Sequence, residues 1–206
     1  MSYPTIEKPY GFKPINLIGG QVFAGATRKM RIASAYATSI GYGDLLVRVN
    51  DGTVARSAAT TAKPTGGFAG VFLGCEFVNP TTGQLQFQQN FTGGTTVTTG
   101  FITAYVCDDP DALFQVAIVS GTTVVTGVQF TSVGENATLV NNTGITASGN
   151  SQIALLATTA TTDTLPIRIV DVVPDTAFES GGNILYPEVI VKLNFGMHSY
   201  ETAVGV

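Results

Sequence analysis

The sequence predicts an all-β protein, with a β-sandwich or barrel-like body and an extended N-terminal arm. Short apolar or alternating runs recur along the chain, and clusters of Gly, Asn, Asp and Thr separate them. Thr is abundant and favours pleated sheets over helices, and no long stretch shows helical periodicity. A chain of 206 residues can bury a sizeable core without help from disulfides or metals.

The predicted strands are short runs bounded by turn residues. Two runs, 45–49 and 189–193, alternate between apolar and polar side chains, which predicts one buried face and one solvated face for each. The predicted strands are 29–36, 44–50, 68–78, 84–89, 101–107, 112–119, 123–131, 152–157, 165–173 and 186–194.

Residues 1–20 are predicted to form the arm, and residues 21–206 a single β domain with a short C-terminal tail. Prolines recur through the first segment and exclude a regular helix, and Gly19-Gly20 provides a hinge. The interleaved apolar side chains could pack on their own domain or on a neighbouring subunit, and we favour the neighbour. The predicted interface residues are Tyr3, Pro4, Pro9, Tyr10, Phe12, Pro14, Ile15, Leu17 and Ile18.

Charge is sparse in this chain. Charged residues make up 12% of the sequence, against about 25% in typical soluble domains, which favours a surface that other proteins cover. The net charge is −4, and the densest cationic group is only Arg28, Lys29 and Arg31, so direct nucleic-acid binding is not expected. The sequence also contains neither a signal peptide nor a membrane helix, which predicts synthesis in a cytoplasm.

The residues that most often carry chemistry are isolated. His198 is the only histidine, and a Ser/His/Asp site needs a base that an acid holds beside a nucleophile. Asp108, Asp109 and Asp111 could hold a hard cation, but their spacing is not that of an EF-hand, and a turn with local side-chain hydrogen bonds is favoured. We therefore predict no catalytic residue, no cofactor and no metal, and a chain that is not an enzyme.

The two cysteines, Cys75 and Cys107, each lie in an apolar run. We expect both to be reduced and buried, because a free Cys behaves as a small apolar side chain. No Cys or His grouping has zinc-ligand spacing.

Several runs, taken in order, resemble small head decoration or cement proteins of tailed bacteriophages, including phages of marine bacteria and cyanobacteria. The similarity spans about residues 68–200, and the opening Pro9-Tyr10-Gly11-Phe12-Lys13-Pro14 is also similar to the start of such proteins. The runs are Val71-Phe72-Leu73-Gly74-Cys75, Ala104-Tyr105-Val106-Cys107-Asp108-Asp109-Pro110-Asp111-Ala112-Leu113-Phe114-Gln115-Val116, Val133-Gly134-Glu135-Asn136-Ala137, Leu165-Pro166-Ile167-Arg168-Ile169-Val170 and Glu188-Val189-Ile190-Val191-Lys192-Leu193-Asn194-Phe195-Gly196-Met197-His198-Ser199-Tyr200.

This resemblance implies a virion protein on the outer surface of an icosahedral capsid, made in the bacterial host cytoplasm. It implies that the partners are the major capsid protein and other copies of the chain in a homotrimer, with an arm that reaches over capsid subunits. Many such clamps would stabilise the shell because they bind its assembled state. No active-site residue carries over from the family.

Two other functions remain open. The first is a carbohydrate- or host-binding β-sandwich module of a phage tail or fibre; sugar sites usually present aromatics, and this chain has no Trp but seven Tyr. The second is an enzyme with an atypical acid site at 108–111. Copy number separates the first alternative from a cement protein, because a fibre module is found at the tail in small numbers.

Overall fold

The computed structural model describes residues 9–119, 130–174, 176 and 187–205. Within these residues the chain forms twelve strands and a single 3-10 turn at Phe130–Ser132, which confirms the predicted all-β fold. No helix in this part of the chain is long and apolar enough to cross a membrane. The strands are β1 (Lys13–Leu17), β2 (Arg28–Ile32), β3 (Leu45–Arg48), β4 (Val54–Arg56), β5 (Phe68–Val78), β6 (Leu85–Gln88), β7 (Ile102–Cys107), β8 (Ala112–Val119), β9 (Asn136–Val140), β10 (Ala154–Ala160), β11 (Ile167–Val172) and β12 (Glu188–Leu193).

The first sheet closes into a five-stranded barrel. Its order is β1-β8-β10-β9-β11-β12, and β12 also pairs with β8, which joins the ends of the ring. Strand β8 bonds to β12 along one edge, while β1 and then β10 share its other edge. Closure of this kind leaves few exposed backbone groups to pair with other chains.

The second sheet comes close to the same arrangement. Its order is β3-β4-β2-β7-β5-β6, with a further pairing between β3 and β5. The long strand β5 makes this possible by pairing in turn with β3, β7 and β6. The ring is weakest between β2 and β4, which meet only at Ile32 and Val54.

Gly70 lets β5 pass close to β7. Its φ is +137°, and a Cβ atom at this position would lie 2.3 Å from the carbonyl oxygen of Cys107. A larger residue would therefore be strained by both its backbone conformation and its contact with β7.

One apolar cluster joins the two sheets. It fills the closed barrel and also includes Leu45, Phe68, Val71 and Cys107 from the second sheet. A second cluster lies inside the second sheet and contains Leu46 and Phe72, the neighbours of Leu45 and Val71 along the chain. Strands β3 and β5 are consequently buried on both faces, because they lie between two cores.

This arrangement corrects the pattern expected for residues 45–49. Leu45 and Leu46 are both buried, so β3 does not have the solvated face that the alternation predicts. The alternation predicted for residues 189–193 is confirmed, with Val189, Val191 and Leu193 buried and the residues between them partly exposed.

The N-terminal segment also differs from the predicted arm. Residues 13–17 form β1, which pairs with β8, and the N–H of Ile18 continues the pairing by donating to the carbonyl oxygen of Asp111 at 3.0 Å. Pro14 fits there because β1 is an edge strand, where a missing N–H is tolerated. At least from residue 9 to residue 18, the chain is therefore part of the β body.

The predicted strands 68–78 and 112–119 are found with those bounds. Strands β1, β4 and β9 were not predicted, and β10 continues to Ala160, beyond the end of the predicted strand 152–157. The predicted strand 123–131 lies outside the described residues except for its last two positions, which belong to the 3-10 turn.

Candidate binding surfaces

The predicted interface residues do not share one surface. Phe12 is fully buried, and its ring meets that of Phe114 edge-to-face with centroids 6.0 Å apart, so it belongs to the core rather than to an interface. Pro9 is also buried, while Ile18 is 53% exposed. Tyr3 and Pro4 lie outside the described residues, and the half-buried members are Tyr10, Pro14, Ile15 and Leu17.

Ile18 borders an apolar cleft on the outside of the barrel. The cleft has a volume of about 220 Å³ and is also lined by Val170, Leu193 and Phe195, with Arg168 and Lys192 among its polar residues. Phe195 is 84% exposed, which is unusual for a side chain that contributes so much apolar area. We call this surface the Ile18–Phe195 cleft.

The backbone around Asn194 fixes the position of Phe195. The Asn194 side-chain amide donates to the carbonyl oxygens of Asp163 at 3.1 Å and Leu165 at 3.0 Å. Its Oδ1 accepts the N–H of Phe195 at 3.0 Å, and the next residue, Gly196, has a φ of +75°. The exposed ring is thus held by an ordered turn, which lowers the entropy lost when a partner covers it.

A second, polar cleft lies where the N-terminal segment meets β8 and β12. It has a volume of about 440 Å³ and is lined by Tyr10, Lys13, Tyr42, Gln115, Asn150 and Glu188. Glu188 is only 5% exposed, and its carboxylate accepts a hydrogen bond from the Gln115 amide. Two aromatic rings, two amides and a buried carboxylate thus face one cavity.

The hydroxyl of Tyr10 is buried and has no hydrogen-bond partner among the described residues. Burial, and then the nearby Glu188 carboxylate, raise the pKa of Tyr10 above its ordinary value. The hydroxyl therefore stays neutral beside the Glu188 carboxylate.

The acidic turn is held partly by the predicted local hydrogen bonds. Asp109 Oδ1 accepts the N–H of Asp111 at 2.8 Å, as expected. Asp108 instead makes long-range contacts, with the guanidinium of Arg28 and with the hydroxyl of Tyr200 at 2.7 Å. Asp111 pairs with Lys192 at 2.7 Å, so the three carboxylates are drawn in different directions.

His198 makes a local hydrogen bond. It is fully buried, and its Nδ1 accepts the N–H of Tyr200 at 3.2 Å. Burial lowers the pKa of His198, which keeps the ring neutral. No acid and nucleophile are hydrogen-bonded to it within the described residues, where its Nε2 has no partner.

Both cysteines are free and buried, which confirms that prediction. Burial raises the pKa of each thiol to about 11, so neither is a ready nucleophile near neutral pH. In the described part of the chain, no group of three or more His, Cys, Asp or Glu side chains is placed to hold a metal.

A buried ion pair that the sequence did not reveal lies in the second sheet, and its hydrogen bonds reach the barrel. Arg56 Nε lies 3.0 Å from Asp44 Oδ2, and both side chains are almost inaccessible to solvent. Asp44 also accepts the Ser151 hydroxyl at 2.6 Å and the Gly41 N–H at 2.7 Å, while Arg56 donates to the carbonyl oxygen of Asn142. A lone Asp in Gly43-Asp44-Leu45 carries no signal of burial, because its partners are distant in the chain.

Comparisons with protein-family models, with curated proteins and with solved structures each found no match to this chain. The functional interpretation therefore depends on the geometry of the chain and on its sequence.

Proposed function

We propose that this chain is a structural virion protein that binds the outer surface of an icosahedral phage capsid and stabilises it. The observation that carries the proposal is the Ile18–Phe195 cleft, an ordered and exposed apolar surface on a body that is poor in charge. Such surfaces mark sites of protein contact. The resemblance of residues 68–200 to head decoration proteins supports the choice of the major capsid protein as partner.

The contribution of one cleft is modest, and the proposed assembly multiplies it. Full burial of a Phe side chain contributes about 1.5–3 kcal/mol. In a homotrimer, three clefts would engage the shell together, and the second and third contacts would form at a high effective concentration. The chain would then act as a clamp that favours the assembled shell.

The proposed role is not catalytic. Asp108, Asp109 and Asp111 are held by ion pairs or a local hydrogen bond, His198 accepts a backbone N–H, and both cysteines are buried. A clamp needs a rigid body and an adhesive surface, and the closed barrel with its fixed Phe195 turn supplies both.

Substitution of Phe195 tests this proposal. We expect Phe195→Ser to weaken binding to undecorated shells by about 10- to 100-fold, because the lost apolar contact is worth about 1.5–3 kcal/mol. The control is Phe87→Ser, which removes another largely exposed ring, from the edge strand β6. Co-sedimentation with shells measures both. Equal binding by Phe195→Ser and the unchanged chain would reject the cleft as the capsid contact.

The polar cleft supports a second candidate, a carbohydrate-binding module of a tail or fibre. Aromatic faces of Tyr10 and Tyr42 beside the Glu188 carboxylate and the Gln115 amide suit a neutral sugar ring. We expect a sugar ligand to perturb the amide signals of β8 and β12 in NMR titrations with a panel of glycans. The substitution Glu188→Gln should weaken the binding of that sugar. A panel without any saturable perturbation would reject this candidate.

A further inference from the structure

Strand β2 has an open backbone edge. All five of its residues pair with β7 on one side, from Arg28–Val106 to Ile32–Ile102. On the other side only Ile32 has a strand partner, Val54 of β4. The backbone groups of residues 28–31 that point away from β7 therefore have no strand beside them in the described part of the chain, and such an edge is a template for another strand.

The turn between β3 and β4 leaves a groove along this edge. The turn closes on itself, since the N–H of Val49 donates to the carbonyl oxygen of Thr53, and Asp51 Oδ1 accepts the N–H and hydroxyl of Thr53. It therefore bonds internally rather than to β2. The groove between turn and strand has a volume of about 630 Å³ and runs along residues 28–34.

The groove is the cationic surface of an otherwise acidic protein. Four of the ten Lys and Arg residues line it: Arg28, Lys29, Arg31 and Arg48. Arg28 pairs with Asp108 and Lys29 with Glu76, outside the groove.

The other two cations are not neutralised in this way. Arg31 stacks on the ring of Phe101 at 3.8 Å from its centroid, and Arg48 donates to the hydroxyl of Tyr200 at 3.3 Å. Neither lies within ion-pair distance of a carboxylate of the described residues. The one carboxylate that lines the groove, that of Asp51, is held by Thr53, and those hydrogen bonds lower its pKa.

From this geometry we propose that the groove binds an acidic, extended segment of a partner protein, which adds as a strand to the edge of β2. The backbone of such a segment would satisfy the open N–H and C=O groups of residues 28–31. Arg31 and Arg48 lie on opposite faces of this sheet, since Arg48 is paired with Val54 and Val54 with Ile32, the neighbour of Arg31. Adjacent carboxylates of the segment, which point to opposite faces, would reach one arginine each in bidentate hydrogen bonds. A polypeptide fits better than a nucleic acid, because a phosphate backbone offers acceptors but no regular donors for the strand's carbonyl oxygens.

The exposed ring of Phe101 adds an apolar contact at the end of the groove. It is 59% exposed despite the stacking of Arg31 on it. Because Arg31 stacks on this ring, the two lie on the same face of the sheet, and an apolar side chain two positions from the carboxylate that meets Arg31 would contact the ring. The surface is separate from the Ile18–Phe195 cleft, so its binding does not depend on the capsid role.

A synthetic peptide of about eight residues, in which pairs of neighbouring Glu residues are separated by Val-Thr pairs, is a suitable probe because it places carboxylates on both faces of a strand. We expect saturable binding to the full chain by fluorescence anisotropy, amide shifts at residues 28–31 by NMR, and weaker binding at higher salt. Arg31→Gln with Arg48→Gln should lower the affinity at least about tenfold, since two charge-assisted contacts are lost. Lys63→Gln removes one positive charge at an exposed position away from the groove and should leave the affinity unchanged.

Two control ligands decide between strand addition and charge attraction. The same peptide with alternate backbone nitrogens methylated should bind at least about tenfold more weakly, because it cannot pair along a full strand edge. Equal affinity for both peptides would overturn the proposal, as would the absence of binding. Tighter binding of single-stranded oligothymidylate, with displacement of the peptide, would assign the groove to nucleic acid instead.

Discussion

Asp44 and Arg56 are the two charges that the fold can least do without. Each is buried, and each has several hydrogen bonds, so the pair is satisfied within the protein. Because Asp44 belongs to the second sheet while Ser151 and Asn142 flank strands of the barrel, the network also fixes one sheet against the other.

Replacement of Arg56 by Met should lower the free energy of unfolding by about 3–5 kcal/mol, because it leaves the Asp44 carboxylate buried without its countercharge. Urea denaturation measures the loss. Far-UV circular dichroism is the suitable signal, because the chain contains no Trp. The double variant Asp44→Leu with Arg56→Met should recover part of it, since neither charge is then left alone. A loss below about 1 kcal/mol in the single variant would contradict a buried, coupled pair.

His198 predicts how stability depends on pH. Burial holds its pKa below the ordinary value of 6.5, while Asp108 and Glu201 oppose this and Arg48 adds to it. The unfolded chain therefore takes up a proton at higher pH than the folded chain, and acid favours unfolding. The stabilising contribution is complete above about pH 6.5 and is lost as the pH falls through the folded-state pKa.

We expect the urea concentration at the unfolding midpoint to decrease as the pH is lowered from about 7.5 to about 5. This range lies above the pH at which ordinary carboxylates titrate. The variant His198→Gln should be less stable at the higher pH but should show a smaller decrease on acidification. Its side chain keeps an acceptor for the N–H of Tyr200 and has no charge to gain. An identical pH dependence in this variant would exclude His198 as the titrating group.

At the scale of the strands, β1 shows how a segment that looks like an arm becomes part of the body. Phe12 is buried against Phe114, and the strand that follows it pairs with β8. We expect Phe12→Ala to lower the free energy of unfolding by about 3–5 kcal/mol, through lost apolar contact and a residual cavity. Urea denaturation measures this change.

Ile18→Ala is the matched control, because Ile18 is an apolar residue of the same segment with an exposed side chain. It should change stability by no more than about 0.5 kcal/mol. If the two variants were equally stable, residues 12–18 would not be packed on the barrel. That result would support the extended arm that the prolines predict.

The sequence predicts the long strands best. Strands β5 and β8 combine length with dense apolar residues, and both were predicted with the observed bounds. Strand β4 was missed because it has only three residues. Strand β1 was missed because it contains Pro14, which argues against a strand in general but is tolerated in an edge strand. Strand β3 alternates in sequence but is buried on both faces, because burial depends on a second core that the pattern of a single strand cannot show.

The candidate surfaces were predictable only in part. The sequence predicts Ile18 as an interface residue but does not connect it with Phe195, which lies near it only in the folded barrel. The groove along β2 was equally hidden, since Arg48 and Phe101 come from other strands or their ends. Sites of this kind arise from strand order, which local periodicity does not specify.

At the scale of the whole molecule, the two sheets present different opportunities for assembly. The closed barrel carries the Ile18–Phe195 cleft, and the second sheet carries the open edge of β2. A capsid protein that bound both surfaces would gain affinity from two moderate contacts rather than from one large interface. Because charged residues make up only 12% of the sequence, few charges would lose their hydration when a partner covers the remaining surface.

The most direct test of the proposed function is the amount and position of this chain in purified virions. We predict a copy number comparable to that of the major capsid protein, and density for the β body on the outer face of the head in an electron microscopy reconstruction, with Phe195 turned toward the shell. Detection of the chain only at the tail, in a few copies, would contradict the account and favour the carbohydrate-binding alternative. Its absence from virions would exclude both.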